Sequence, residues 1–165
     1  MSNSMMQKYT IFVLLTILFT ACVKDEVNVF PDEPAIQYLN MAPTHINILD
    51  TTALIEMQFA FQDGDGDIGR DPLEEQMNIF LKDSRDTTSE PYTYAYPFPY
   101  IPESKRPKGG LEGTVTMKLG REYFPPKDSL HIALGKDTLV LHVFIEDDEG
   151  HISNTITTDT IYVSM

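Results

Sequence analysis

The segment Asp63–Gly69 reads Asp-Gly-Asp-Gly-Asp-Ile-Gly, so that three carboxylates alternate with glycines. Calcium is bound by about six to eight oxygen atoms, and carboxylates at alternate positions of a tight loop can converge on one ion. The glycines allow the positive φ angles that such a loop needs. The segment therefore predicts a calcium site that uses Asp63, Asp65 and Asp67.

This segment is similar to the start of an EF-hand loop, with Glu74 where the closing glutamate would lie. It departs from the EF-hand motif at the sixth position, where Ile68 replaces the required glycine. No helical pattern flanks it either. We therefore expect a calcium loop of another kind, and the alternative is a polar turn in which Asp and Gly serve only turn formation.

A second acidic segment, Glu146–Gly150, lies later in the chain. In an immunoglobulin-like sandwich it would join strands F and G, and the Asp63–Gly69 segment would join strands B and C. These two loops lie at the same end of such a sandwich. Facing acidic loops repel each other unless a cation or solvent screening relieves the repulsion. The predicted calcium ligands are Asp63, Asp65, Asp67, Asp147 and Asp148.

Aromatic residues occupy every second position from Tyr92 to Tyr100. On an extended chain all these rings project to one side. They could stack against a glycan or a peptide, or they could cover the core from an edge strand, where the intervening prolines are tolerated. We favour the core, because aromatic side chains bury large areas. The candidate stacking residues are Tyr92, Tyr94, Tyr96, Phe98 and Tyr100.

The remaining polar residues predict no chemistry. The four histidines match no zinc-binding spacing, and no nucleophile elbow or phosphate-binding loop is present. Paired carboxylates occur only in acidic loops, where burial cannot easily tune a pKa. The basic residues Lys105, Arg106 and Lys108 are predicted to lie in a solvated loop. We therefore expect a protein that is not an enzyme, with a hydrolase as a distant alternative.

Alternation of apolar and polar residues with a period of two dominates from Ile36 onward, without a long helical pattern. The alternating segments are separated by Gly, Pro, Asp and Ser clusters, and they predict about seven antiparallel strands. This pattern favours an all-β fold with a single immunoglobulin-like β-sandwich, and an up-and-down barrel is the alternative. A change of phase between Ile156 and Ile161 predicts a β-bulge near Thr158–Asp159.

The N-terminal residues 1–21 carry one base, Lys8, and no acid, and they end in an apolar stretch with small residues before Cys22. This pattern is typical of a secretory signal peptide. The stretch is shorter than the roughly 20 apolar residues of a transmembrane helix. Phe19–Cys22 resembles the lipobox of bacterial lipoproteins, although Phe19 stands where leucine is usual. We expect cleavage before Cys22, the single cysteine, and lipidation of that residue.

The segment Val23–Glu26 is similar to the export signal of surface lipoproteins in Bacteroidetes-type bacteria. Prolines and acids extend it as a tether to about residue 34. Processing removes Lys8 alone among charged residues, so that the formal net charge changes from −13 to −14. Such a surface repels nucleic acid and suits cations, neutral glycans or basic partners.

Four segments together resemble a family of small Bacteroidetes lipoproteins of uncharacterised role, and the likeness covers most of the mature chain. The segments are the Cys22 start, Phe59–Gly69, Leu111–Thr114 and Asp148–Thr155. The resemblance implies an immunoglobulin-like fold and a location at the cell surface, and it implies no activity.

The expected organisation has three parts: a lipoprotein signal peptide at 1–21, a lipidated cysteine and acidic tether at 22–34, and a sandwich domain at 35–165. We expect an outer-membrane lipoprotein, exposed at the surface, that acts as a non-catalytic binding or scaffold module with calcium as its cofactor. A glycan-contact domain that uses the aromatic run is the alternative. The expected partners are the membrane, through lipid on Cys22, and a glycan or protein at the surface, but not nucleic acid.

Overall fold

The computed structural model describes residues 30–127 and 129–165; the expected signal peptide, Cys22 and the first part of the tether lie outside this range. The described residues form ten strands, one short α-helix and two 3-10 turns. The helix, α1, spans Ser129–Leu134, and the 3-10 turns span Glu103–Lys105 and Arg121–Tyr123. The strands are β1 (Ala35–Ala42), β2 (His45–Asn47), β3 (Leu54–Asp63), β4 (Met77–Asp83), β5 (Tyr94–Pro97), β6 (Leu111–Gly120), β7 (Lys136–Leu139), β8 (Leu141–Ile145), β9 (Ile156–Thr157) and β10 (Ile161–Ser164).

The strands form an all-β sandwich. One sheet has the order β1-β3-β6, and the other strands form the groups β5-β4-β8-β9 and β2-β10-β7. Only Val140 separates β7 from β8, and these two strands pair with β10 and β9, so the two groups continue one another along a single long hairpin. In immunoglobulin terms β3, β4, β7–β8 and β9–β10 are strands B, C, F and G. The predicted fold class is confirmed.

The structure has more strands than the seven expected, because strands F and G are each divided into two and the first strand is followed by the separate short strand β2. The division in strand G is the predicted bulge. Val143 pairs with Ile156, whereas Leu139 pairs with Ile161, so the register shifts by one residue between them. The pair β2–β10 is parallel, a feature that alternation alone does not reveal.

The core lies between the inward faces of the two layers. Along β3 every second residue from Ile55 to Phe61 is buried, while the residues between them face outward. The same alternation buries every second residue of β8 from Leu141 to Ile145. This packing fixes the ends of β3 and β8 beside each other, and the loops that follow them form the candidate site.

Candidate metal centre

Three buried carboxylates converge where the chain leaves β3 and β8. Asp63 is the last residue of β3, Asp67 lies in the loop that follows, and Asp147 comes shortly after β8. One oxygen atom from each carboxylate lies within 4.8 Å of the others. The exposed fractions of Asp63, Asp67 and Asp147 are 0%, 1% and 1%. The predicted approach of the two acidic loops thus occurs, and these three carboxylates are buried.

Three oxygen atoms of this cluster are buried and accept no hydrogen bond from the described residues: Asp63 Oδ1, Asp67 Oδ1 and Asp67 Oδ2. Buried polar atoms are nearly always hydrogen-bonded, since an unsatisfied one is costly and an unpaired buried charge costs more. A polar turn built only for its conformation would have no reason to bury unpaired carboxylates. The three carboxylates are therefore placed where they could hold a metal ion.

Burial raises the pKa of Asp67 to about 7, and the neighbouring charge of Asp147 adds to the shift. Burial also raises the pKa of Asp63, to about 6, against the effect of the Ile68 N–H that the carboxylate accepts. Both shifts follow from placing carboxylates close together away from water. A bound divalent cation would favour the ionised forms, so it would compete with protons for this cluster.

The loop around the cluster is held by local contacts. The Ile68 N–H donates to Asp63 Oδ2 at 3.1 Å, and the Ile68 side chain is fully buried in the core. Gly66 and Gly69 have φ angles of 68° and 69°, which favour glycine. Glu74 is exposed and stands outside the cluster. The loop therefore differs from an EF-hand, as Ile68 led us to expect.

A backbone close approach fixes the other side of the loop. A Cβ atom on Gly64 would lie 2.2 Å from the Pro31 carbonyl oxygen. The N-terminal segment Phe30–Pro31 therefore crosses directly over the loop, at a contact that only glycine allows. The end of the tether and the acidic cluster consequently lie at the same end of the domain.

Asp147 is held by its own turn. Its Oδ1 atom accepts the N–H groups of Glu149 and His151 at 3.0 and 2.8 Å, and its Oδ2 atom accepts the His151 Nδ1–H at 2.9 Å. The hydrogen bond and the charge of Asp147 raise the pKa of His151. The search for zinc-binding spacings did not identify His151 as a residue of this site. The feature of the sequence that could have identified it is its position four residues after Asp147 in a turn.

The remaining predicted ligands lie outside the buried cluster. Asp65 is exposed, and it forms a second group with Glu149 and His151. One Asp65 oxygen accepts the Asp67 N–H at 3.2 Å. Asp148 is half-buried, and its Oδ1 atom lies 3.5 Å from Asn78 Nδ2. The structure thus brings three of the five predicted residues into the buried cluster.

The basic segment after the aromatic run differs from its prediction. Arg106 does not lie in a solvated loop, because its side chain is only 7% exposed. Its guanidinium group donates hydrogen bonds to the carbonyl oxygens of Gly66, Ile68, Gly69 and Ile101. Three of these four carbonyls belong to the loop that carries Asp67. Sequence patterns gave no signal for this contact, which joins segments almost forty residues apart.

The aromatic run does not project to one side. Only Tyr94–Pro97 form the strand β5. Tyr94 and Tyr96 are half-buried and pack on Tyr123, with ring centroids 5.3 and 5.5 Å away. Tyr92 packs instead on Phe80, whose strand neighbours point into the core. The alternation breaks because the extended strand is shorter than the run.

Phe98 and Tyr100 provide a matched test of the aromatic run. Phe98 is buried, with its ring centroid 4.9 Å from that of Phe61, whereas Tyr100 is 42% exposed. Phe98→Ala is expected to lower the free energy of unfolding by about 3–5 kcal/mol. Tyr100→Ala is expected to change it by less than about 0.5 kcal/mol. Urea unfolding measures both, and equal losses in the two variants would contradict the packing described.

No protein-family model matches this chain, and a comparison with curated proteins finds no relative. Among residues 30–127 and 129–165, no helix is long and apolar enough to cross a membrane. The fold and the site therefore define an all-β sandwich domain with a buried cluster of three carboxylates at one end.

Proposed function

We propose that this chain is a membrane-anchored, surface-exposed lipoprotein whose single sandwich domain is a non-catalytic binding or scaffold module stabilised by calcium. The observation that carries the proposal is a set of buried oxygens of Asp63 and Asp67 that have no hydrogen-bond partner among the described residues and lie near Asp147. An ion at this point would join strand B to strand F across the two layers. It would thereby fix the end of the domain that the tether enters.

The chemistry of the donors favours calcium. All three residues of the cluster offer hard carboxylate oxygens, without sulfur or nitrogen ligands. Calcium accepts such oxygens in mono- or bidentate geometry and tolerates irregular arrangements, whereas magnesium demands a near-ideal octahedron and keeps several waters. The strongly acidic mature chain also raises the local concentration of cations.

Thermal melts test the proposal. Extracellular calcium modules bind with dissociation constants of about 10⁻⁴–10⁻³ M. At about 1 mM calcium the native state would gain roughly 0.4–1.4 kcal/mol, which raises the melting temperature by about 1–6 °C. Sodium chloride at matched ionic strength must not reproduce the shift, because general screening also stabilises an acidic protein. An equal shift with sodium would count against a calcium site.

The membrane anchor is tested separately. Cys22→Ala is expected to abolish incorporation of labelled fatty acid and to release the protein from the membrane fraction, or to leave it uncleaved. Each buried methylene of an acyl chain contributes roughly 0.8 kcal/mol, so the loss of the lipid removes the attachment. Fractionation and labelling of cells that express each form provide the measurement. Continued fatty-acid incorporation in the variant would contradict lipidation at Cys22.

A further inference from the structure

We propose that Arg106 is a positioning residue for the calcium site: it holds the backbone on both sides of Asp67 and so aims that carboxylate into the cluster. This inference rests on the calcium site proposed above. Among the described residues Arg106 forms no hydrogen bond or ion pair with the three carboxylates of that site, so it would act through the loop backbone.

The contacts of Arg106 enclose Asp67 from both directions along the chain. One terminal nitrogen, Nη1, donates to the carbonyl oxygens of Gly66 and Ile68, the second of these at 3.0 Å. The other, Nη2, donates to Gly69 at 2.8 Å, and Nε donates to Ile101 at 3.1 Å. A rigid planar guanidinium therefore fixes the carbonyls immediately before and after Asp67.

The backbone of the loop and the Asp67 carboxylate differ in their hydrogen bonding. The loop carbonyls of Gly66, Ile68 and Gly69 each accept a hydrogen bond from Arg106. The Asp67 carboxylate, by contrast, is buried without a partner among the described residues. Arg106 thus fixes the loop backbone, while the Asp67 carboxylate remains available to a cation.

The acidic neighbour of Arg106 does not explain its burial. Glu103 Oε1 lies 3.7 Å from Arg106 Nε, but the Glu103 side chain is 81% exposed. Exposed ion pairs of this kind contribute little. The four backbone carbonyls are the partners that hold the guanidinium in place, and three of them belong to the loop that carries Asp67.

Arg106→Lys tests the proposal, because lysine keeps the charge but lacks the planar fork that serves several acceptors at once. Mutation of a residue that orients a metal ligand typically weakens metal binding by about 10–100-fold. We expect a rise of this size in the calcium dissociation constant, measured by calorimetry at a temperature where the variant is fully folded. The protein used is the chain from Val23 onward, which retains every described residue.

Arg121→Lys is the matched control. The Arg121 guanidinium donates to one carbonyl, that of Ile48, at 2.9 Å, and it is exposed. Its replacement is expected to leave the calcium dissociation constant unchanged. If Arg106→Lys lowers the melting temperature in chelator but keeps the wild-type dissociation constant, Arg106 is purely structural and the inference is overturned. If the unaltered protein takes up no calcium, the proposed calcium site itself fails.

A measurement on the unaltered chain keeps the inference testable if Arg106→Lys does not fold. Coupling between two sites is reciprocal, so a residue that promotes calcium binding is itself held more firmly when calcium is bound. Hydrogen exchange of the Arg106 Nε–H, followed by NMR, should slow when calcium is added. An exchange rate that calcium leaves unchanged would overturn the inference.

Discussion

Replacing Arg85 with methionine is expected to lower the free energy of unfolding by about 3–5 kcal/mol. The Arg85 guanidinium donates to both oxygens of Asp83, from Nη2 at 2.7 Å and from Nε at 3.0 Å, and from Nη1 to Asp137 at 2.5 Å. The two carboxylate side chains are only 0% and 2% exposed. Removal of Arg85 alone would leave two buried negative charges without their main partner. An uncompensated buried charge strongly lowers the free energy of unfolding.

Urea unfolding measures this loss as a fall in the transition midpoint at an unchanged slope. Lys118→Met is the control, since Lys118 pairs with Glu56 at 3.4 Å on the surface, where the two side chains are 64% and 52% exposed. Exposed pairs of this kind contribute about 0–1 kcal/mol. A loss below about 1 kcal/mol for Arg85→Met would contradict the network described.

Asp67→Asn is expected to abolish the calcium-specific stabilisation and to make the calcium-free domain more stable. The variant loses a carboxylate of the proposed calcium site. It replaces a buried carboxylate that has no hydrogen-bond partner among the described residues by an amide that can donate to its acidic neighbours. An unsatisfied buried group costs about 1–3 kcal/mol, and more when it is charged. We therefore expect a gain of about 1–3 kcal/mol in chelator at pH 8.

The pH dependence of that gain follows from the raised pKa of Asp67, about 7 in the folded state. A carboxyl whose pKa is raised by folding carries no such penalty below its ordinary pKa of 3.8. The native state loses stability as the pH rises from that value to the raised pKa, and the loss is complete above it. The advantage of Asp67→Asn over the unaltered protein should thus be larger at pH 8 than at pH 5. Melts in chelator at both values provide the measurement.

Asp148→Asn is the control for the Asp67 variant. It removes the same charge from the same end of the domain, but Asp148 lies outside the buried cluster. Calcium should stabilise Asp148→Asn as much as it stabilises the unaltered protein. Equal loss of the calcium effect in both variants would mean that the overall charge of the loops, and not the cluster, is responsible.

The sandwich and the approach of its acidic loops could be predicted because both follow from alternation and strand order. The same alternation also places two of the three carboxylates of the cluster. Asp63 continues the inward phase of Phe61 on β3, and Asp147 continues that of Ile145 after β8. These two carboxylates therefore point inward, as the phase of their strands requires. Asp65 follows the end of β3, so the same rule does not place it.

The partners of the buried arginines could not be predicted in this way. Arg106 reaches Gly66 across forty residues, and Arg85 reaches Asp137 across fifty-two. Such contacts depend on how separate loops fold against each other. The alternation of apolar and polar residues within one segment does not predict them. In the aromatic run, by contrast, a local pattern is present but misleads. Aromatic residues alternate regularly from Tyr92 to Tyr100, whereas the strand that would place their side chains on one face has only four residues.

The most direct test of the calcium site is a calorimetric titration of calcium into the chain from Val23 onward, after treatment with chelator. We predict one calcium ion per domain at the Asp63–Asp67–Asp147 cluster, with a dissociation constant of about 10⁻³ M or below. Binding should disappear in Asp67→Asn and persist in Asp148→Asn. If the unaltered domain takes up no calcium at millimolar concentrations, the cluster is not a calcium site and the loop that carries it is only a turn.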